Sequence, residues 1–133
     1  MKLKIMNEFY VIINSSQSTG LFENTPASFK VKLNRPLRLK GRWMVGLCQY
    51  DSTIVDQVYV CSNICTSTIV GSNQLSILRH ITKDTIDYQP FYTAVPQDLI
   101  DIVHIYLLND RTEKKIRDND GLTRITLHFV LKE

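Results

Sequence analysis

The sequence predicts an all-β protein, and more narrowly a single jelly-roll β-sandwich of about eight antiparallel strands. Short runs alternate apolar with polar residues, which is the period of a half-buried strand. Connections of varied length separate these runs, and helical periodicity does not extend beyond one turn. Because each amphipathic strand needs a second layer to cover it, two packed sheets are the simplest arrangement. An immunoglobulin-like or barrel arrangement of the same strands stays open.

The chain has the length and composition of one globular domain, predicted to span residues 1–133. Of its residues, 44% are hydrophobic and 22% are charged, which is ordinary for a soluble protein. It has no apolar run of about 18 residues, so no membrane span is expected. The basic N-terminal segment MKLKIMNEF lacks the apolar core of a secretory signal, and we therefore expect folding in a reducing compartment.

The strongest strand signal lies in residues 29–50, FKVKLNRPLRLKGRWMVGLCQY. Its first half alternates apolar residues with basic ones until Pro36, which has no N–H to donate to a ladder. Gly41 then turns the chain into a second, more apolar strand. Trp43 in that strand is predicted to be buried between the sheets. The residues expected near it are Phe29, Val45, Ile105, Leu127 and Phe129.

Further strands are predicted on either side of this segment from β-branched and alternating runs. A short helical turn is predicted at Pro96–Ile100, where proline occupies a position at which a helix could begin. The charged residues 110–121 form a loop too long for a tight turn. The other predicted strands are residues 8–14, 58–65, 75–81, 89–95, 101–109 and 123–131.

The cysteines and histidines show no arrangement specific to a metal or a disulfide framework. Three cysteines (Cys48, Cys61 and Cys65) are an odd number, and the C-x3-C spacing lacks a second pair. We expect inert, buried thiols. His104 and His128 lie on strands predicted to be neighbours, where solvent-facing or cross-strand contacts are commoner than metal ligation.

The search for catalytic motifs favours a protein that is not an enzyme and holds no cofactor. The sequence has no G-x-S-x-G elbow, no phosphate-binding glycine loop and no H-E-x-x-H. Asp98 and Asp101 are close in sequence, but aspartate at such positions favours capping and turn formation.

One segment is strongly basic although the net charge of the chain is only +3. Such a stripe is suited to nucleic acid or another polyanion. The competing interpretation is that these are the outward positions of a strand, where lysine blunts an exposed edge. The basic stripe consists of Lys30, Lys32, Arg35, Arg38, Lys40 and Arg42.

Two apolar pairs lie outside the strongest strands and are candidate anchors for an oligomer interface. Leu21 and Phe22 occupy the middle of a polar loop, residues 15–26. Phe91 and Tyr92 follow a proline in the predicted edge strand. Exposed apolar pairs are costly for a monomer unless a partner covers them. The alternative for each pair is that it folds back onto its own sandwich.

Three blocks of the chain resemble a known viral family. They are the L-x-G-x-W-x-V-x-L run from Leu39 to Leu47, the Y-x-P-F-Y block from Tyr88 to Tyr92, and the spacing Asp101, Ile105, Asn109-Asp110. In this order they resemble the penton-like minor capsid protein of Polinton/Maverick elements and adintoviruses. The resemblance covers most of the chain from residue 8 to residue 131. The chain is shorter than those proteins, and Gln49 replaces a frequent glutamate.

The resemblance implies a single jelly roll and a role in virion assembly, and it carries over no catalytic residue. The implied partners are further copies of the chain, with a pentamer favoured, and a major capsid protein. The implied location is the virion, after synthesis in the cytoplasm or nucleus of the host cell. The alternative function, from the basic stripe, is a stand-alone β-sandwich module that binds glycan or nucleic acid.

Overall fold

The computed structural model describes residues 7–82, 91–117 and 120–132. Every regular element in these residues is a β-strand, and the sheets are antiparallel, which confirms the all-β prediction. The strands are β1 (Glu8–Asn14), β2 (Ser28–Arg38), β3 (Arg42–Ser52), β4 (Val58–Ser62), β5 (Thr68–Val70), β6 (Asn73–Leu75), β7 (Ile77–Ile81), β8 (Tyr92–Ala94), β9 (Leu99–Asn109) and β10 (Thr123–Lys132).

Eight of these strands form two four-stranded sheets. Sheet A has the order β1-β10-β3-β8, and sheet B has the order β2-β9-β4-β7. The remaining two strands, β5 and β6, form a separate hairpin. The long central ladders fix the register, with Val11 opposite Leu127 in sheet A and Phe29 opposite Ile105 in sheet B.

Alternation places one face of each sheet in a shared hydrophobic core. Inward side chains of both sheets belong to a single cluster of buried residues. Trp43 is 8% exposed, its indole Nε1 donates to the carbonyl of Lys40 at 3.1 Å, and its ring lies 5.3 Å from that of Phe9. The residues predicted around Trp43 are buried as expected: Phe29, Val45, Ile105, Leu127 and Phe129.

Register irregularities interrupt three of the ladders: β2 with β9, β3 with β10, and β4 with β7. Pairing of β2 with β9 lapses between Lys32 and Leu37, around the proline that cannot donate to a ladder. In β3, Leu47 and Gln49 oppose consecutive residues of β10, so Cys48 is the extra residue of a β-bulge. Before the bulge the odd-numbered residues of β3 face the core, and after it the even-numbered residues do. Tyr50 rather than Gln49 therefore packs against the core.

Several predicted strand and helix assignments differ from the structure. The helical turn at Pro96–Ile100 is wrong, because Leu99 and Ile100 already belong to β9 and Asp98 accepts a backbone hydrogen bond from Leu39 at 2.8 Å. The strand predicted to reach Cys65 ends at Ser62. The strand predicted at residues 75–81 is divided, since Leu75 pairs with Thr68 in the β5–β6 hairpin.

Some predictions fall on residues that the structure does not describe. Residues 89–90 of the predicted edge strand lie outside the described residues, and so do Tyr88 and Pro90 of the Y-x-P-F-Y block. Residues 118–119 of the predicted charged loop also lie outside them.

Replacing Trp43 with alanine tests the core. The loss of its burial and the cavity left behind should lower the free energy of unfolding by about 3–5 kcal/mol. Trp43→Phe retains an aromatic ring and should lose less. Urea unfolding followed by circular dichroism measures both variants. A loss below about 1 kcal/mol for the alanine variant would show that Trp43 is not a core residue.

Candidate interaction surfaces

The loop between β1 and β2 exposes one member of its apolar pair and covers the other. Leu21 is 65% exposed, whereas Phe22 is half-buried. The ammonium group of Lys30 lies 5.8 Å from the centre of the Phe22 ring, within the range of a cation–π contact. The structure therefore leaves Leu21 as the free apolar side chain of this loop.

The same loop closes the outer edge of β2. The Asn24 side chain accepts from the backbone N–H of Lys30 at 2.9 Å and donates to the Lys30 carbonyl at 2.9 Å. The hydroxyl of Ser18 accepts from the N–H of Lys32 at 3.0 Å. Unpaired strand edges invite pairing with other chains, and these side chains satisfy the N–H and C=O of Lys30 and the N–H of Lys32 within the chain.

The second apolar pair is divided in the same way. Phe91 is 69% exposed. Tyr92 is half-buried, and its hydroxyl is hydrogen-bonded to Nδ1 of His128 at 2.7 Å. Burial raises the pKa of the Tyr92 phenol, with further contributions from Cys48, Tyr10 and Glu8. Tyr92 is thus anchored on its own sheet, and Phe91 is the member that a partner could cover.

A row of aromatic side chains crosses the outer face of sheet A, where the sequence predicted only strand residues. Tyr10 of β1 stands opposite His128 of β10, and their rings stack 4.4 Å apart. Gly46 of β3 pairs with both His128 and Tyr92, and it has no side chain to separate them. Oε2 of Glu8 lies 3.3 Å from Nε2 of His128, which forms an ion pair only when the imidazole is protonated.

The edge strand β1 also carries exposed apolar side chains that the sequence analysis did not single out. Tyr10 is 60% exposed and Ile12 is 53% exposed. Both point to the outer face, because Phe9, Val11 and Ile13 take the inward positions of the strand. Alternation in the sequence indicated that one face of β1 would be buried. It did not indicate that the solvent-exposed face would carry two large apolar side chains at a sheet edge.

The basic stripe follows the corner between the two sheets rather than one flat face. All six side chains are exposed. Lys30 and Lys32 lie on β2 of sheet B, whereas Arg42 lies on β3 of sheet A. Carboxylates accompany it, since the ammonium of Lys32 is 4.0 Å from Asp101. Near the corner a recess is lined by Arg38, Leu39, Lys40, Asp98 and Leu99.

The three cysteines are free thiols in the structure; Cys61 and Cys65 are buried as expected, whereas Cys48 is only half-buried. Burial raises the pKa of Cys61 to about 12, with a further contribution from Cys65, and burial raises the pKa of Cys65 to about 11. Burial also raises the pKa of Cys48, and Arg79 opposes that shift. Because the thiolate is the reactive form, we expect all three thiols to react slowly with a thiol reagent at neutral pH.

The two histidines considered as metal ligands are not brought together. His104 belongs to β9 in sheet B and His128 to β10 in sheet A, so the expectation that their strands are neighbours is wrong. Across residues 7–82, 91–117 and 120–132, no group of three or more histidine, cysteine, aspartate or glutamate side chains could hold a metal ion. The same described residues contain no helix long and apolar enough to cross a membrane.

Comparison with protein-family models, with curated proteins and with solved structures gave no match to this chain. The candidate surfaces are therefore defined by geometry and chemistry. They are the exposed Leu21 and Phe91, the outer edge of β1, and the basic stripe.

His104 gives the fold a predictable response to acid. Its Nε2 is hydrogen-bonded to the Ser28 hydroxyl at 3.3 Å. Burial lowers the pKa of His104 below its ordinary value of 6.5, and Lys30 and Lys115 lower it further. The unfolded chain therefore binds this proton more readily. The stability from neutral His104 is present above pH 6.5 and is lost as the pH falls through the folded-state pKa.

Replacing His104 with glutamine should reduce the drop in melting temperature between about pH 7.5 and about pH 5. Ser28→Ala is the control, because it removes the hydroxyl partner but keeps the titrating ring, and its drop should persist. Thermal melts followed by circular dichroism measure both. An unchanged drop in the glutamine variant would show that His104 does not contribute to the acid sensitivity.

Proposed function

We propose that the chain is a single jelly-roll sandwich. The support is the nesting of its strand pairs: β1 pairs with β10, β2 with β9, β3 with β8, and β4 with β7. Successive pairs in this series fall alternately in sheet A and sheet B. That order is what results when one long antiparallel ribbon is wrapped into two facing sheets, which is the arrangement of a jelly roll. The β5–β6 hairpin is an insertion between β4 and β7.

We further propose that the protein is a virion structural protein, a penton-like minor capsid subunit. The nested pairing carries this proposal, because it agrees with the single jelly roll implied by the sequence resemblance. The L-x-G-x-W-x-V-x-L block falls at the corner from β2 to β3 and supplies buried core residues. The partners proposed are further copies of the chain, with a pentamer favoured, and a major capsid protein.

The exposed members of the two apolar pairs are the proposed anchors for a ring of subunits. Leu21 and Phe91 are 65% and 69% exposed, whereas Phe22 and Tyr92 have partners within the chain. Covering one large apolar side chain is worth roughly 1.5–3 kcal/mol, and a ring repeats that gain at each interface. Of the four residues in the two pairs, Leu21 and Phe91 are therefore the ones to test first.

The test is the effect of Leu21→Ser and Phe91→Ser, made separately, on oligomer formation. Sedimentation velocity and negative-stain electron microscopy should show rings for the parent chain, and at least one variant should remain folded while losing them. Val55→Ser is the matched control, because Val55 is 93% exposed and lies in neither pair. A parent chain without rings, or two variants that assemble like the parent, would contradict the proposal.

The alternative function, a β-sandwich module that binds a polyanion, is favoured by the exposure of all six basic side chains at one corner. Two observations oppose it: Lys32 is paired with Asp101, and Asp98 lines the recess beside Arg38 and Lys40. A monomer that binds single-stranded DNA or heparin with strong salt dependence would favour this function over the capsid subunit.

A further inference from the structure

The hydrogen-bond pattern of sheet A determines which backbone groups of β1 face outward. The N–H of Leu131 donates to the carbonyl of Asn7 at 2.8 Å, and the N–H of Ser15 donates to the carbonyl of Thr123 at 2.9 Å. Both bonds continue the register of β1 with β10. Hydrogen-bonded pairs alternate with non-bonded pairs along an antiparallel ladder, so the odd-numbered residues of β1 bond to β10.

The even-numbered residues Glu8, Tyr10, Ile12 and Asn14 therefore direct their N–H and C=O groups away from the sheet. Asn14 is satisfied locally, because its N–H donates to the Gln17 side chain at 2.8 Å and its carbonyl accepts from the N–H of Gln17 at 3.2 Å. For Glu8, Tyr10 and Ile12, the part of the chain that the structure describes supplies no partner to the outward groups.

The edge of β1 differs in this respect from the outer edges of β2 and β8. Ser18 and Asn24 close the edge of β2. On the far side of β8, the carbonyl of Ala94 accepts from the N–H of Thr66 at 3.1 Å. The β1 edge combines open backbone groups with the exposed side chains of Tyr10 and Ile12. Such an edge is a template for another strand.

We propose that this edge pairs antiparallel with β1 of a second copy of the chain, about a two-fold axis at Val11. In this register Tyr10 stands opposite Ile12 of the partner subunit, and the two residues exchange both backbone hydrogen bonds. The two-fold axis creates a second, identical Tyr10–Ile12 pair, so four backbone hydrogen bonds form between the two copies. Each of the two exposed apolar side chains then covers the other across the new ladder.

The charged residues near β1 also support pairing with a second copy of the chain in this register. Glu8, whose side chain is 58% exposed, stands opposite Asn14 of the partner subunit. Within each copy, Asn14 is paired in register with the exposed Arg124 of β10. The Glu8 carboxylate of one copy therefore lies in the same cross-strand row as the Arg124 guanidinium of the other copy, with Asn14 between them. A two-fold interface uses the same patch on both copies, and this patch, β1 together with Arg124 of β10, is complementary to itself in shape and in charge.

The pair joins two copies of sheet A into one continuous sheet of eight strands, with β8 at each end. Phe91 immediately precedes β8 and is therefore at the opposite side of sheet A from the paired edge. The inference does not rest on the proposed capsid function. The two proposals can fail separately. Phe91→Ser could lose the rings and keep the two-fold dimer through β1, or it could keep the rings while the dimer is absent.

The first test compares Ile12→Lys with Ile69→Lys by sedimentation equilibrium of the full chain. Ile69, on the separate hairpin, is 75% exposed and provides the matched control for adding a lysine at an exposed isoleucine. Ile12→Lys should weaken the two-fold association by about tenfold or more, because it places charge in the pairing edge, and Ile69→Lys should leave it unchanged. A monomeric parent, or an Ile12→Lys chain that pairs like the parent, would overturn the proposal.

The second test examines the register. In Val11→Cys the new thiol should meet its counterpart across the two-fold axis, at a non-hydrogen-bonded pair where strand Cα atoms approach closely enough for a disulfide. Mild oxidation should give a crosslinked dimer on a non-reducing gel. Ile12→Cys, whose thiol would stand opposite Tyr10 of the partner subunit, should crosslink far less. Equal crosslinking of the two variants, or none of Val11→Cys, would overturn the register.

Discussion

The burial of two apolar sheet faces against each other is the constraint on which the rest of the structure depends. Neither four-stranded sheet can cover its inward side chains alone, and the residues of both sheets form one cluster. The long strands β10, β3 and β9 lie in the interior of the two sheets, where β10 and β9 contribute many fully buried residues. The loops remain at the periphery and can vary without opening the core.

Backbone satisfaction at the sheet edges is the second constraint, and it connects the fold to assembly. Two open four-stranded sheets have edges that a closed barrel does not, and an edge strand presents unpaired N–H and C=O groups unless other parts of the chain cover them. The chain closes the edge of β2 with the side chains of a polar loop. Among residues 7–82, 91–117 and 120–132, no side chain or backbone group closes the edge of β1 at Tyr10 and Ile12 in the same way. The contrast between these two edges supports the proposal that β1 is the edge through which the chain pairs with a second copy.

Much of the fold could be predicted from the sequence because alternation reports burial directly. The strands β1 and β10 have nearly the predicted bounds, and Trp43 is buried as its neighbours suggested. The β5–β6 hairpin was missed because the run from Thr68 to Val70 has almost no buried residue to create a pattern. Pro96 suggested a helix start, but tertiary pairing at Asp98 favours an extended chain there.

The candidate surfaces could be predicted only in part, because exposure depends on contacts between distant segments. The sequence identified the pairs Leu21–Phe22 and Phe91–Tyr92 but could not show that Lys30 covers Phe22, or that His128 binds Tyr92. The open edge of β1 depends on strand order, which a local pattern does not contain.

Amide hydrogen exchange along β1, followed by NMR as a function of protein concentration, tests the open edge most directly. In dilute solution the account predicts slow exchange at Phe9, Val11 and Ile13, which bond to β10, and fast exchange at Tyr10 and Ile12. At high concentration the amides of Tyr10 and Ile12 should become protected as the edge pairs. Protection of Tyr10 and Ile12 equal to that of Val11 in the dilute monomer would contradict the account, because the edge would already be closed within one chain.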